Sequence, residues 1–256
     1  MRTRTFRTSL LAVITILLLC SFTPQKGMRI LFIGDSITDG GWGNSGGKMS
    51  SSAERNHKDM NHIYGHSFMM LCAAQWQSDY PHLDLQFMNR GISGNTLNDI
   101  AARWPSDALA LSPDVVCLLV GINDVYAFRK HRKTDVAAEF DFEAWEKRYT
   151  GLLDTLRRQN PGVRIMLGTP FVTKEGGRLK EKDYHITEQT THRLAETVRR
   201  IARKYDAALL PFDEMFYELT KEEPRRGYWI WDGIHPTPAG HHRMADLWLR
   251  TAEAMP

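Results

Sequence analysis

Five short, largely apolar runs recur along the chain, at residues 30–33, 85–88, 115–120, 163–167 and 207–210, and helical periodicity fills the stretches between them. Runs of this length, rich in Val, Ile and Leu, suit strands buried on both faces; a half-exposed strand would alternate apolar with polar residues. Strands that alternate with helices pack as a parallel sheet, because each helix carries the chain back to the same end of the sheet and covers one of its faces. The expected helices are 64–78, 140–158, 188–205 and 238–254, with shorter helical pieces over 97–111 interrupted at Pro105. No internal repeat or linker divides 28–256, so one α/β domain with a five-stranded parallel sheet is expected there.

The formal charge of +3 over 256 residues comes from the N-terminus. Residues 1–27 hold Arg2, Arg4, Arg7 and Lys26 and no acidic residue, and without them the net charge is −1. Such a body lacks the basic face that nucleic-acid binding requires. The three arginines followed by the apolar stretch 10–20 form the charged and apolar regions of an export signal, too short to span a bilayer comfortably. The expectation is therefore an export signal over 1–27, cleaved after Ser21 or Thr23, and a periplasmic or secreted protein with no stable membrane span after processing. Lipid attachment at Cys20 ranks second, because Leu19 is bulky where a small residue is usual. Cys72 and Cys117 are well separated and lack metal-ligand spacing, so both read as small buried hydrophobes. Self-association is left open.

Each run stops at small or polar residues, and in an open parallel sheet those stops share the edge where ligands bind. The first run ends at Gly34-Asp35-Ser36, which sets a hydroxyl at the sheet rim. The plainer reading is a helix N-cap at Ser36 or Thr38. A serine hydroxyl becomes an effective nucleophile when a base takes its proton. Of ten histidines, His235 has Asp232 three residues before it, a spacing that lets a carboxylate hold one ring nitrogen and leaves the other for the serine. Acyl transfer also needs donors for the developing oxyanion. Gly94, after the second run, offers a backbone N–H where a side chain would collide, and Asn123, after the third, offers an amide. Alone, Gly94 reads as a turn glycine and Asn123 as an Asx-turn residue. Four such residues at four strand ends are better explained by one site than by four coincidences.

Gly34-Asp35-Ser36, Gly94, Gly121-Ile122-Asn123-Asp124 and Asp232-x-x-His235 resemble, in order, the four blocks of the GDSL, or SGNH, hydrolase family. The resemblance implies a flavodoxin-like three-layer α/β/α sandwich. It also implies Ser36 as nucleophile, His235 as base, Asp232 as its orienter, and Ser36, Gly94 and Asn123 as the oxyanion hole. Longer strings, among them Asn89-Arg90-Gly91-Ile92-Ser93-Gly94-Asn95-Thr96, Ala102-Arg103-Trp104 and Trp231-Asp232, are similar to bacterial serine acetylxylan esterases. That implies an acetylated carbohydrate as substrate and no cofactor. The stretch 41–62 and the leader fall outside the similarity. Two other readings stay in view: a lysophospholipase or thioesterase acting on longer acyl chains with the same residues, and a catalytically silent carbohydrate-binding domain. Retention of Ser36, Asp232 and His235 together speaks against the second.

Competing signals are weaker. Gly41, Gly43 and Gly46 spell G-x-G-x-x-G, but they lie in a loop beyond the strand rather than between strand and helix, so no dinucleotide is expected. His57, Asp59, His62 and His66 cluster in sequence, yet read more simply as a polar loop and helix start than as a metal site. His241 and His242 lack the preceding aspartate. Asp35, Trp42 and Trp231 are candidate substrate contacts, Asp35 reading otherwise as a tie for the turn at Ser36 and each tryptophan as packing. Asp124 reads as a local hydrogen-bonding residue, and 129–133 as a solvated basic loop.

Overall fold

A computed structural model describes residues 23–44, 51–135, 137–174 and 181–255. Residues 1–22 of the expected export signal, Ser21 and Cys20 among them, and Ser45-Gly46 of the glycine-rich string therefore lie outside the described residues. Five parallel strands form one sheet: β1 (Arg29–Gly34), β2 (Gln86–Gly91), β3 (Val115–Leu119), β4 (Arg164–Gly168) and β5 (Ala208–Leu210), in the order β2-β1-β3-β4-β5. This is the flavodoxin-like order, with its topological switch beside β1.

Alternation along β1 sends side chains to two cores. Ile30 and Phe32 pack with α2 (Phe68–Asp79), α7 (Phe212–Glu222) and α8 (Pro238–Glu253). Leu31 and Ile33 pack on the other face with α3 (Leu97–Asp107), α5 (Phe142–Gln159) and α6 (Glu181–Tyr205). Three layers result, as expected. Among the described residues no helix is long and apolar enough to cross a membrane. Cys72 and Cys117 are buried free thiols.

Three helices depart from the sequence expectation. Pro105 does not interrupt α3, which runs unbroken to Asp107. The proline removes only one backbone donor, while buried Ile100 and Trp104 and the Arg103–Asp107 ion pair hold the turns on either side. The basic stretch taken as a loop is largely the last turn of α4 (Ile122–Arg132), where cations suit the negative end of the helix dipole. That helix buries only Ile122 and Val125 and so shows almost no periodicity. The charged segment after β5 is α7, anchored by Phe212, Phe216 and Leu219 at helical spacing.

Helix starts are capped by local chemistry. Asp141 accepts from Ala144 N at 2.9 Å at the start of α5, and Thr96 with Asp99 forms a reciprocal box at the start of α3. His241 of α8 caps a different helix: its Nδ1 accepts the Phe68 N–H at 3.1 Å, satisfying an orphan donor of α2. Burial pushes this imidazole down to about 4, with the charges of His66 and His235 adding to the effect.

The unfolded chain protonates a histidine near pH 6.5, whereas folded His241 stays neutral down to about 4. Over that window the unfolded state binds more protons, so the His241 contribution to stability is lost as pH falls. Buried Asp35 and partly buried Asp124, both raised, act in the opposite sense, so the effect is isolated by comparison with a variant. Relative to the wild type, His241→Asn, which keeps an acceptor for Phe68, is expected to raise stability at pH 4.5 relative to that at pH 7 by about 2–3 kcal/mol, measured by urea denaturation.

Candidate active site

Register brings the site together. Gly34 at the end of β1 pairs with Gly91 of β2 on one side and Leu119 of β3 on the other. Ser36, Gly94 and Asn123 each follow within a few residues of those aligned ends, at the C-terminal edge of the sheet beside the switch point.

A four-residue helix, α1 (Ser36–Asp39), begins immediately beyond β1. Its N-cap is Asp35, whose Oδ1 accepts the Ile37 N–H at 3.0 Å. The capping role expected of Ser36 or Thr38 thus belongs to Asp35, and the Ser36 hydroxyl is left to meet His235. Ser36 Oγ lies 2.8 Å from His235 Nε2, and His235 Nδ1 lies 2.7 Å from Asp232 Oδ2. Because Nδ1 faces a carboxylate it carries the ring proton, so Nε2 accepts from the serine.

Asp232 is buried, and burial works to raise its pKa. The His235 ring and the backbone N–H groups of His235 and Ile234 outweigh that effect and hold the carboxylate below its usual range. Its Oδ1 takes both backbone donors, at 2.8 Å and 3.1 Å, so the Asp-x-x-His turn is closed by the same carboxylate that orients the ring. The turn is tied to the β4 end by Thr173 N–H donating to Gly233 O at 2.8 Å.

On the oxyanion side, Gly94 has φ of +82°, and a Cβ there would meet nothing within 4 Å. The glycine is needed for its left-handed backbone rather than for want of space, which corrects the expected collision. Asn123, in the first turn of α4, donates from Nδ2 to Asn95 O at 3.1 Å, joining the Gly94 loop to the β3 end. Asp124 accepts the Leu97 N–H, the first amide of α3, at 3.1 Å, as its local role requires.

Two of the tentative substrate contacts are corrected. Asp35 is 1% exposed, and burial, against the Ile37 hydrogen bond, pushes it up to about 7. Trp42 is fully buried, donates to Gly91 O at 2.7 Å, and has the guanidinium groups of Arg55 and Arg90 over its ring at 4.7 and 4.9 Å from the centroid. Both are scaffold. Trp231 differs: it is 59% exposed and stacks on the His235 ring at 6.0 Å between centroids. Of the histidines in the loop beyond α1, His62 contacts Asp59 at 2.7 Å and His57 contacts Ser52 O at 2.9 Å.

Two groups that hold the edge together were not assigned a role from the sequence. Asp39, buried, pairs with buried Arg55 and accepts the Ser93 N–H at 2.8 Å, linking α1 to the Gly94 loop. Asn89 donates to Thr38 O, Asp39 O and Tyr64 O and accepts from Gly91 N–H. An asparagine on the buried face of β2, between Phe87 and Gly91, is a signal that could have marked it.

The model of the GDSL-like lipase/acylhydrolase family matches residues 32–243. An acetylxylan esterase from Geobacillus stearothermophilus is 30% identical over 227 residues, covering 88% of this chain and 94% of the relative. Its crystal structure aligns with a TM-score of 0.65 at 29% identity, over 90% of this chain and 96% of that one. A protein assigned as a GDSL-like lipase from Parabacteroides merdae aligns with a TM-score of 0.75 at 26% identity, over 91% and 99% of the two chains.

Replacing the carboxylate tests the hydrogen-bond chain. Asp232→Asn is expected to keep the fold and lower kcat for ester hydrolysis by roughly 10⁴, because the amide can impose the wrong tautomer on His235. Ser36→Ala is expected to reduce turnover of nitrophenyl acetate at least as far, with an unchanged circular dichroism spectrum.

Proposed function

The chain belongs to the GDSL-like lipase/acylhydrolase family, and on that premise we propose that it is an exported serine esterase that removes acetyl groups from a carbohydrate through an acyl-serine intermediate. The observation that carries the chemistry is the continuous chain Ser36–His235–Asp232 at the sheet edge.

Ser36 Oγ attacks the ester carbonyl carbon as His235 Nε2 takes its proton. The negative charge that develops on the carbonyl oxygen is met by the backbone N–H groups of Ser36 and Gly94 and by the Asn123 amide. Collapse breaks the bond to the sugar oxygen, which leaves with the proton held on His235. Water then attacks the acetyl-serine, His235 accepting its proton and returning it to Ser36 Oγ as acetate departs. Asp232 stabilises the imidazolium formed in each half-reaction.

A sugar substrate is supported by the similarity to an acetylxylan esterase and by Trp231. Its exposed ring, stacked on His235, offers an apolar plane on which the C–H face of a pyranose can lie next to the reacting hydroxyl. Export is supported by the arginine-led apolar stretch at the N-terminus.

Acetate release from acetylated xylo-oligosaccharides is the direct assay. Among nitrophenyl esters, acetate is expected to be preferred over octanoate, and the reverse order would replace this reading with a long-chain acylhydrolase. Trp231→Ala is expected to raise KM for the acetylated oligosaccharide at least about fivefold while changing kcat on nitrophenyl acetate less than about twofold.

A further inference from the structure

Helix α3 carries a guanidinium that reaches three of the segments assembling the site. Arg103 Nη2 donates to Gly34 O, the end of the nucleophile strand, at 3.1 Å. Its Nη1 donates to Arg90 O of β2 and to Asp107 Oδ2, both at 2.8 Å, and its Nε donates to Asn95 Oδ1 at 2.7 Å. Asp107 is itself buried and also receives the Ser52 hydroxyl, so the anchor of the guanidinium is fixed in turn. A planar fork with five donors in rigid geometry can satisfy four acceptors around it; an ammonium has three donors and no plane.

The consequence runs through Asn95. Its side-chain oxygen is held by Arg103, and its backbone oxygen accepts one hydrogen of Asn123 Nδ2 at 3.1 Å. The two hydrogens of an amide nitrogen are fixed relative to one another by the planarity of the group. The carbonyl that holds the first therefore sets the direction of the second, the one left to meet an oxyanion.

We propose that Arg103 is a positioning residue for the oxyanion site, fixing the Asn95 loop against the end of β1 and, through the Asn95 carbonyl, aiming the Asn123 amide. This rests on the reading of Asn123 as an oxyanion donor. Arg103 touches no reacting atom; it acts through Asn95 and Asn123.

A double-mutant cycle on nitrophenyl acetate separates this from a merely structural role. Asn123→Ala alone is expected to lower kcat by roughly 10²–10³. Arg103→Met is expected to lower kcat about 10–100-fold with KM within about twofold, and Arg103→Lys to recover part of the loss. Introduced into Asn123→Ala, Arg103→Met is expected to cost less than about threefold, because the group it aims is already gone. Should Arg103→Met fail to fold, leaving Asp107 without its partner, Asn95→Ala removes the Oδ1 acceptor alone and is expected to give the same pattern. Losses that multiply in full in the double variant would overturn the relay. An unchanged kcat in Asn123→Ala by itself would overturn the oxyanion reading beneath it, and the relay with it.

Discussion

Gly34 pairs in register with Gly91 on one side and Leu119 on the other, so three chain segments leave the sheet at one level. That level is available to a short helix only because two of the three strand ends, Gly34 and Gly91, carry no side chain there. A Cβ on Gly34 would come within 2.5 Å of Leu119 O and 2.6 Å of Thr38 Oγ1, and one on Gly91 would run into the backbone of Asp39. With both positions bare, α1 lies across the strand ends and presents Ser36 at its first turn. The Asp232–His235 turn then has to reach one point, and its tie to Thr173 brings it there from the β4 side. The chemistry depends on close backbone packing before it depends on any functional group.

The same packing takes three carboxyl groups near Ser36 wholly or partly out of water, and each is accommodated differently. Removing an unpaired carboxylate from water costs several kcal/mol. Asp39 meets that cost with Arg55 and two backbone donors, Gly41 N–H and Ser93 N–H. Asp124 has the Leu97 N–H and is raised to about 6, burial being the first cause. Asp35 has the Ile37 N–H on one oxygen and no hydrogen-bond partner on the other; burial, with added repulsion from Asp124 and Asp39, raises it to about 7. Both raised groups take up a proton at higher pH than an exposed aspartate does, Asp35 around pH 7 and Asp124 around pH 6. The negative charge firmly retained beside the imidazole is then that of Asp232, whose carboxylate is stabilised by the ring it orients.

What could be read in the amino-acid order follows from how far each signal reaches along the chain. Buried strands announce themselves as apolar runs, and all five were legible to within a few residues, as was the parallel order that helices impose between them. Ser36, Asp232 and His235 were legible because each stands out against its neighbours within a handful of positions. The helix α4 was not, since burying only Ile122 and Val125 leaves it no stripe. Long-range polar ties were also hidden. Arg103 reaches Gly34, 69 residues away, and Asn89 reaches Thr38, 51 away; neither spacing has a local pattern. Trp42 shows the converse, because a tryptophan in a glycine-rich loop looks exposed until a carbonyl 49 residues away proves to receive its N–H.

The fate of Trp42 also moves the question of sugar selection. The loop beyond α1 was the natural place to look for specificity, being long and polar. Its described part turns inward at its two most distinctive residues: Arg55 pairs with Asp39, and Trp42 packs between Arg55 and Arg90 with its N–H on the β2 end. A fully buried ring has no face left for a pyranose, so Trp42 holds the β2 end to the loop. Trp231 has the opposite environment. One face lies along the His235 imidazole, the side chain is 59% exposed, and its backbone N–H is fixed to His235 O at 3.1 Å. A sugar laid on that ring would be located relative to Nε2 by the same short turn that locates the histidine. Recognition and proton transfer would then share one rigid element, with the backbone of the turn, rather than the indole, holding the base in place.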